Sequence, residues 1–139
     1  HSVVRALCLA AESGVDVRLM LPGIPDHRYT AVVAGSYYQR LLEHGGRIYE
    51  FTPGFLHAKS FVADGELAFV GTVNMDYRSF QLHYECGVLL YGAPAVGDIQ
   101  ADMERIMAAS TPVDLARWRE RSWLRKVLEK VLRVFSIWM

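Results

Sequence analysis

The chain has 139 residues, of which 52% are hydrophobic, and its 15 basic side chains balance 15 acidic ones. This composition predicts one folded globular domain and excludes an intrinsically disordered chain. The charges are uneven, since residues 1–113 carry eight Lys or Arg against twelve Asp or Glu, and residues 114–139 carry seven against three. The acidic body argues against a nucleic-acid-binding surface, which needs a positive field.

The first half of the chain alternates predicted helices and strands. Apolar residues at helical spacing predict a helix from about Ser2 to Ser13, and alternation from Val15 to Leu21 predicts a strand. A helix from Thr30 to Glu43 and a strand from Arg47 to Phe51 follow. Helix and strand in alternation with short connections predict parallel strands with right-handed crossovers.

The pattern changes in the second half. Strands at His57–Ala63 and Leu67–Val70 flank an Asp-Gly pair at residues 64 and 65, which is typical of a hairpin turn. An irregular polar segment, a strand from Leu82 to Tyr91 and a helix from Val96 to Ala109 come next, before a last helix from Asp114 to about residue 135. The predicted fold is α/β, with a mixed, largely parallel sheet covered by helices.

Two regions are expected, a catalytic body over residues 1–112 and a basic amphipathic helix over residues 113–139. Because the chain starts inside a predicted helix, we expect it to be part of a longer protein. Cys8 and Cys86 lie in apolar surroundings, which favours two buried free thiols over one disulfide. No apolar run reaches the length of a membrane span, and the first residues do not resemble a signal peptide.

His57 and Lys59 are the first candidates for chemistry. Residues two apart on a strand share a face, so an imidazole and an ammonium are predicted to project together from an apolar strand. A histidine alone in such a strand is usually a hydrogen-bonded core residue. A lysine on the same face makes sense if an anion binds there.

Two further segments carry groups that suit this anion. The turn Gly71-Thr72-Val73-Asn74 offers a hydroxyl, an amide and backbone donors to a phosphate, although by itself it also reads as a simple end of a strand. Glu85 lies in an apolar stretch, where a buried carboxylate needs a partner. A histidine N–H would serve, and the contact would fix the tautomer for nucleophilic or acid–base chemistry.

Other acidic and basic residues nearby have ordinary explanations. Asp64 is expected to form the turn, and Asp76 with Arg78 is either a surface pair or a brace for the Asn74 loop. Asp26 and His27 lie on a loop that is expected to reach the site. Zinc is the rival chemistry, but His57, His83 and Glu85 lack a compact ligand spacing and Lys59 would repel the cation.

These motifs carry a resemblance. His57-Ala-Lys59 with Asp64 fits the H-x-K-x4-D pattern of the phospholipase D superfamily, and Gly71-Thr72-x-Asn74 fits its G-[ST]-x-N element. Over residues 1–110 the text resembles the bacterial cardiolipin synthase branch, most closely in PGFLHAKSFVADGELAFVGTVNMDYRSF. Only one such motif is present, so the chain resembles half of a two-histidine site, and its position indicates the C-terminal half.

The resemblance implies a phosphatidyltransferase that moves a phosphatidyl group between phosphatidylglycerol molecules through a phosphohistidine, with no metal or organic cofactor. It implies that His57 is catalytic as nucleophile or as acid–base group, and that Glu85 orients it. Lys59, Thr72 and Asn74 would bind the phosphate, with Asp64, Asp76 and Arg78 in support. A missing N-terminal half or a second copy would complete the site, at the bacterial inner membrane.

The tail admits two interpretations. An apolar face from Leu124 to residue 135, basic residues around it, and Trp118, Trp123 and Trp138 beside it predict that residues 114–138 lie on anionic lipid. The same stripe would suit docking on another protein segment. Two alternative functions stay open, a single-motif phosphodiesterase or nuclease acting as a homodimer, and a membrane-binding fragment that is inactive alone.

Overall fold

The structure, a computed structural model, describes residues 2–25 and 28–135, and the side chains of residues 28, 126, 130 and 133–135 fall outside its description. Asp26, His27 and Trp138 therefore lie outside the described residues. The helices are α1 (Ser2–Glu12), α2 (Arg28–Glu43), α3 (Tyr77–Gln81), α4 (Pro94–Ala108), α5 (Leu115–Arg119) and α6 (Trp123–Phe135). The strands are β1 (Arg18–Pro22), β2 (Arg47–Phe51), β3 (Ser60–Ala63), β4 (Leu67–Gly71), β5 (Gly87–Tyr91) and β6 (Thr111–Pro112).

The described strands form two sheets, ordered β1-β2-β6 and β3-β4-β5. β1 and β2 are parallel, with Arg18 opposite Arg47, because α2 returns the chain to the starting edge before β2 begins. β6, which sequence patterns did not predict, is antiparallel to β2, and β3, β4 and β5 are antiparallel to their neighbours. The mixed α/β fold is confirmed, while the parallel arrangement holds for the β1–β2 pair.

The hairpin between β3 and β4 is confirmed at the Asp-Gly pair. Asp64 and Gly65 have φ angles of 54° and 69°, and the Glu66 N–H donates to the Ala63 carbonyl at 3.1 Å. The left-handed region is accessible to glycine and tolerated by Asp, which explains the choice of residues at this reversal. Asp64 thus lies at the tip of the hairpin.

Two clusters of buried side chains hold the helices on the sheets. Cys8, Tyr38, Leu41 and Ile48 are buried between α1, α2 and β2, and Trp118 packs against them. Helix α4 contacts strands of both sheets, with Val96 and the β4 residue Ala68 fully buried. α4 therefore couples the two sheets although they share no strand.

Strand β5 forms an edge of its sheet. It pairs with β4 on one side, and Val88, Leu89 and Tyr91 are 60–76% exposed. Cys8 and Cys86 are both free thiols, but Cys86 is exposed because it precedes this edge strand. The prediction of two buried thiols is thus wrong for Cys86.

Two of the predicted strands are shorter in the structure. β3 begins at Ser60, so His57 and Lys59 precede it, and β5 begins at Gly87, so Glu85 precedes it as well. The apolar residues around these positions suggested buried strands, but pairing with β4 stops at both places. The predicted irregular segment also contains a short helix, α3, whose N-cap is Asp76.

The predicted final helix is broken into α5 and α6. Asp114 caps α5 by accepting the Arg117 N–H at 2.8 Å, and the chain turns at residues 120–122. At the turn the Arg121 guanidinium lies 3.4 Å from the Trp118 ring centroid and pairs with Glu129. Trp118 itself stacks on Tyr38 at 4.5 Å between centroids, so it belongs to the interior and not to a lipid-facing surface.

Helix α6 packs on α2, with Glu129 at the contact near Gly35. Glu129 is 4% exposed and is held by Arg121, with Arg125 at 3.6 Å. The residues of the opposite face are 47–62% exposed, namely Leu124, Val127, Leu128 and Val131. We call these four residues the α6 stripe. Within the described residues, no helix is long and apolar enough to cross a bilayer.

The Arg121–Glu129 pair should anchor α6. Glu129→Ala leaves a largely buried guanidinium without its carboxylate, so we expect the free energy of unfolding to fall by roughly 3 kcal/mol. Urea unfolding followed by tryptophan fluorescence measures this loss. The control is Asp102→Ala, which breaks the exposed Arg105–Asp102 pair and should cost under about 1 kcal/mol. Equal losses in the two variants would show that α6 does not depend on the buried pair.

Candidate active site

His57 and Lys59 lie in the segment that leads into β3. The His57 ring is exposed and stacks on Phe55 at 5.4 Å between centroids. Lys59 Nζ donates to the His57 carbonyl at 2.9 Å, and the Lys59 carbonyl accepts the Gly71 N–H at 3.0 Å. The prediction of a buried histidine is wrong, since the imidazole is open to a substrate and the ammonium folds back beside it.

A set of hydrogen bonds joins the segment after β4 to the segment before β5. The Thr72 N–H donates to the Cys86 carbonyl at 2.9 Å, and the Cys86 N–H donates to Thr72 Oγ1 at 3.0 Å. The Thr72 hydroxyl in turn donates to the Glu85 carboxylate. We call this arrangement the Thr72 brace. Within the described residues, Glu85 accepts from the Thr72 hydroxyl and not from the His57 ring.

The charge of Glu85 is stabilised by its surroundings. The pKa of its carboxyl group is lowered, first by the hydrogen bond from Thr72 and then by one from Ser79. Partial desolvation opposes this shift, and the positive charge of Lys59 adds to it. Glu85 is therefore a carboxylate at neutral pH, and its coupling to Lys59 brings both residues into one site.

Asn74 is positioned by a residue that sequence reasoning missed. Its backbone N–H donates to Ser79 Oγ at 3.1 Å, while the Ser79 N–H donates to Asp76 Oδ1 at 2.8 Å. Ser79 is 7% exposed and also contacts Glu85. The signal was present as Asp76-x-x-Ser79, because an Asp N-cap accepts from the backbone three residues later.

The remaining predicted residues are spread around this centre. Arg78, in α3, donates to His83 Nε2 at 3.0 Å. Asp64 lies five residues beyond Lys59, roughly 17 Å along the strand direction, so the hairpin tip is remote from the imidazole. Among the described residues, no group of three or more His, Cys, Asp or Glu side chains could hold a metal ion.

Residues 1–107 match the protein family described as cardiolipin synthase, PLD-like domain. The chain is 40% identical over 134 residues to a cardiolipin synthase of Clostridium perfringens, covering 96% of this chain and 28% of that protein. It is 39% identical over 136 residues to a cardiolipin synthase of Halalkalibacterium halodurans, covering 98% of this chain and 27% of that protein. The chain thus spans little more than a quarter of these relatives.

The fold also resembles a solved structure. Nuc from Salmonella typhimurium, a phospholipase D family member, aligns with a TM-score of 0.67 and 16% sequence identity. The alignment covers 80% of this chain and 72% of Nuc. At this identity the likeness concerns the fold alone.

The Thr72 hydroxyl should set the ionisation of Glu85. Thr72→Val keeps the side-chain shape but removes the donor, so we expect the pKa of Glu85 to rise towards its ordinary value. A lowered carboxyl pKa stabilises the folded state above the unfolded-state pKa, and this contribution is lost as pH falls through the folded-state value. The stability difference between wild type and variant should therefore shrink as pH falls below the unfolded-state pKa of glutamate and through the lowered folded-state pKa of Glu85.

The direct measurement is a carbon-13 NMR titration of the Glu85 carboxyl. Thr111→Val, on the exposed strand β6, is the matched control and should leave the titration unchanged. An ordinary glutamate titration in the wild-type chain would contradict the role assigned to Thr72.

Proposed function

The chain belongs to the cardiolipin synthase, PLD-like domain family, and from this premise we propose that it supplies one half of a phosphatidyl-transfer site. The observation that carries the proposal is the grouping of an open imidazole, an ammonium and an ionised carboxylate at His57, Lys59 and Glu85. The Lys59 ammonium suits a substrate that is itself an anion. The Glu85 carboxylate suits a reaction in which protons are transferred. A phosphodiester meets both conditions.

His57 acts on the phosphorus or on the leaving oxygen. As nucleophile, its ring nitrogen bonds to phosphorus while the bond to the glycerol oxygen breaks, and a second histidine gives that oxygen a proton. As acid–base partner, His57 gives and later reclaims this proton. In the second step the acceptor hydroxyl attacks phosphorus, the phosphorus–nitrogen bond breaks, and the hydroxyl proton goes to the acid–base histidine.

The other groups stabilise the charge that develops. Lys59 and Asn74 neutralise the phosphate oxygens, an electrostatic contribution that is large in such sites. Thr72 remains a proposed phosphate ligand, with its hydroxyl already directed at Glu85. Glu85, kept ionised, orients His57 as substrate binds. Asp64 supports this arrangement through the hairpin turn, and Asp76 supports it as the N-cap of α3.

The second histidine and lysine come from outside these 139 residues. We assign them to an N-terminal half of the same longer protein or to a second copy of the chain. Phosphatidylglycerol is the proposed substrate, and the site works at the bacterial inner membrane. In this proposal residues 1–112 carry the chemistry, and residues 113–139 bring it to the lipid surface.

The α6 stripe supports the membrane contact. Its four aliphatic side chains are about half exposed, and the 70%-exposed Trp123 lies at the start of the helix. A helix that buries Glu129 and turns the α6 stripe outward suits the headgroup boundary of a bilayer. The excess of positive charge in residues 114–139 favours anionic lipid.

The first test replaces His57 by Ala in the assembly that contains both halves of the site. Cardiolipin formation should fall by roughly 100-fold to 10,000-fold, the usual contribution of a positioned acid–base group. Conversion of radiolabelled phosphatidylglycerol measures the rate. His44→Ala is the matched control, because His44 binds the Arg40 carbonyl on α2, outside the site. Wild-type synthesis by the His57 variant would refute the proposal.

The second test concerns lipid binding. Leu128→Glu puts a charge in the α6 stripe, and binding to vesicles rich in phosphatidylglycerol should weaken by at least about tenfold, since a buried leucine contributes ~1.5–3 kcal/mol. Co-sedimentation measures the bound fraction. Leu9→Glu on α1 is the control, because Leu9 is exposed to a similar degree, 53% against 49%. Equal binding by both variants would exclude the stripe as the lipid contact.

A further inference from the structure

A cavity of about 300 Å³ lies beside the proposed phosphate site, between the start of α2 and the α3 segment. Polar side chains line it, with Asn74, Asp76, Arg78 and His83 on one side and Tyr29 and Thr30 on the other. Its volume is at the low end for ligand sites, which suits a polar head group better than a whole lipid. Of this lining, the mechanism above uses Asn74 as a phosphate ligand, with Asp76 and Ser79 holding its loop, and it gives no role to Arg78 or His83.

Two residues of the lining, Asn74 and Ser79, connect the cavity to the proposed phosphate site. Asn74 lines the cavity and is also a proposed ligand of the reacting phosphate. Ser79, which receives the Asn74 N–H, lies in the cavity wall and contacts Glu85. Asn74 and Ser79 thus form a wall that the cavity shares with the proposed phosphate site.

The chemistry of the wall is that of a glycerophosphate site. Arg78 has only donors, so His83 Nε2 must accept its hydrogen bond, and the neutral ring then carries its proton on Nδ1. The exposed guanidinium and this N–H are donors suited to phosphate oxygens. The Asp76 carboxylate, which also caps α3, can accept from a glycerol hydroxyl.

We propose that this cavity binds the head group of the acceptor phosphatidylglycerol, with Arg78 and His83 on its phosphate. The inference rests on the proposed function. The acceptor hydroxyl displaces the histidine nitrogen from phosphorus and gives its proton to the acid–base histidine. Water in the same place gives phosphatidic acid. The cavity thus selects a lipid alcohol over water by holding a second phosphate near the first.

Arg78→Gln in the complete assembly tests the proposal. With labelled phosphatidylglycerol as the substrate, we expect the ratio of cardiolipin to phosphatidic acid to fall at least about tenfold, since a hydrogen bond to a charged group contributes ~1.5–3 kcal/mol. Phosphatidic acid formation should rise as cardiolipin formation falls, because water then replaces the lipid acceptor at the phosphorus. Arg78→Lys should recover part of the ratio, because it restores the charge without the planar fork.

A second acceptor separates binding from a structural role. Free glycerol has no phosphate, so exchange of labelled glycerol into phosphatidylglycerol should be equal in wild type and Arg78→Gln. Arg105→Gln on α4, an exposed arginine paired with Asp102, is the control and should change neither product. A parallel fall with both acceptors, or an unchanged product ratio, would overturn the inference. If the wild-type assembly consumed no phosphatidylglycerol, the proposed function itself would be refuted, and the inference with it.

Discussion

The Thr72 brace is the constraint on which the rest of the site depends. β4 and β5 are adjacent antiparallel strands, and the residues just beyond their paired ends would otherwise diverge. Two hydrogen bonds between Thr72 and Cys86 hold the two strands together for one residue beyond their paired ends. The Thr72 hydroxyl also donates to the Glu85 carboxylate. Ser79 then links this carboxylate to the Asn74 loop. One short side chain thus sets the charge of the acid and the position of the next loop.

The geometry around His57 follows from where the ladder ends. The Gly71 N–H donates to the Lys59 carbonyl where the pairing of β3 with β4 ends, so the chain before Lys59 leaves the sheet. This release exposes the imidazole, while the lysine stays attached to the sheet. Gly71 and Gly87 lie opposite each other under the Phe69 ring, where a Cβ at Gly87 would come within 2.3 Å of that ring. Close approach of backbone and aromatic ring is what brings the two segments near enough to be braced.

Sequence patterns predicted the local parts of this structure well, because hairpin turns, helix α4 and strand β2 are encoded by neighbouring residues. They failed where the bounds of an element depend on a contact with residues far away in the sequence. The strand expected to start at His57 starts at Ser60 instead, because its partner β4 ends at Gly71. No residue near His57 signals this boundary. The long tail helix breaks because Arg121 meets Trp118 and Glu129, although helical spacing continues through the break.

For the site, the sequence motif identified the chemical groups but not their contacts. Thr72 was assigned to a phosphate, whereas its hydroxyl hydrogen bond goes to Glu85, 13 residues away. Ser79 was missed, although its spacing from Asp76 is that of a helix cap. Periodicity likewise showed which α6 residues share a face, but not that Glu129 would be buried while the α6 stripe stays exposed. That choice was made by an ion pair with Arg121 and by the surface of α2.

The open edge of β5 also has a consequence for handling this chain. Among the described strands β5 pairs with β4 alone, so its outer edge and the exposed Val88, Leu89 and Tyr91 form a template to which an extended segment can add by backbone hydrogen bonds. Short hydrophobic edges of this kind nucleate intermolecular sheets when protein is concentrated. Without a partner that covers β5, the 139-residue chain is therefore expected to aggregate when it is concentrated. Its solubility will indicate how well that edge is covered.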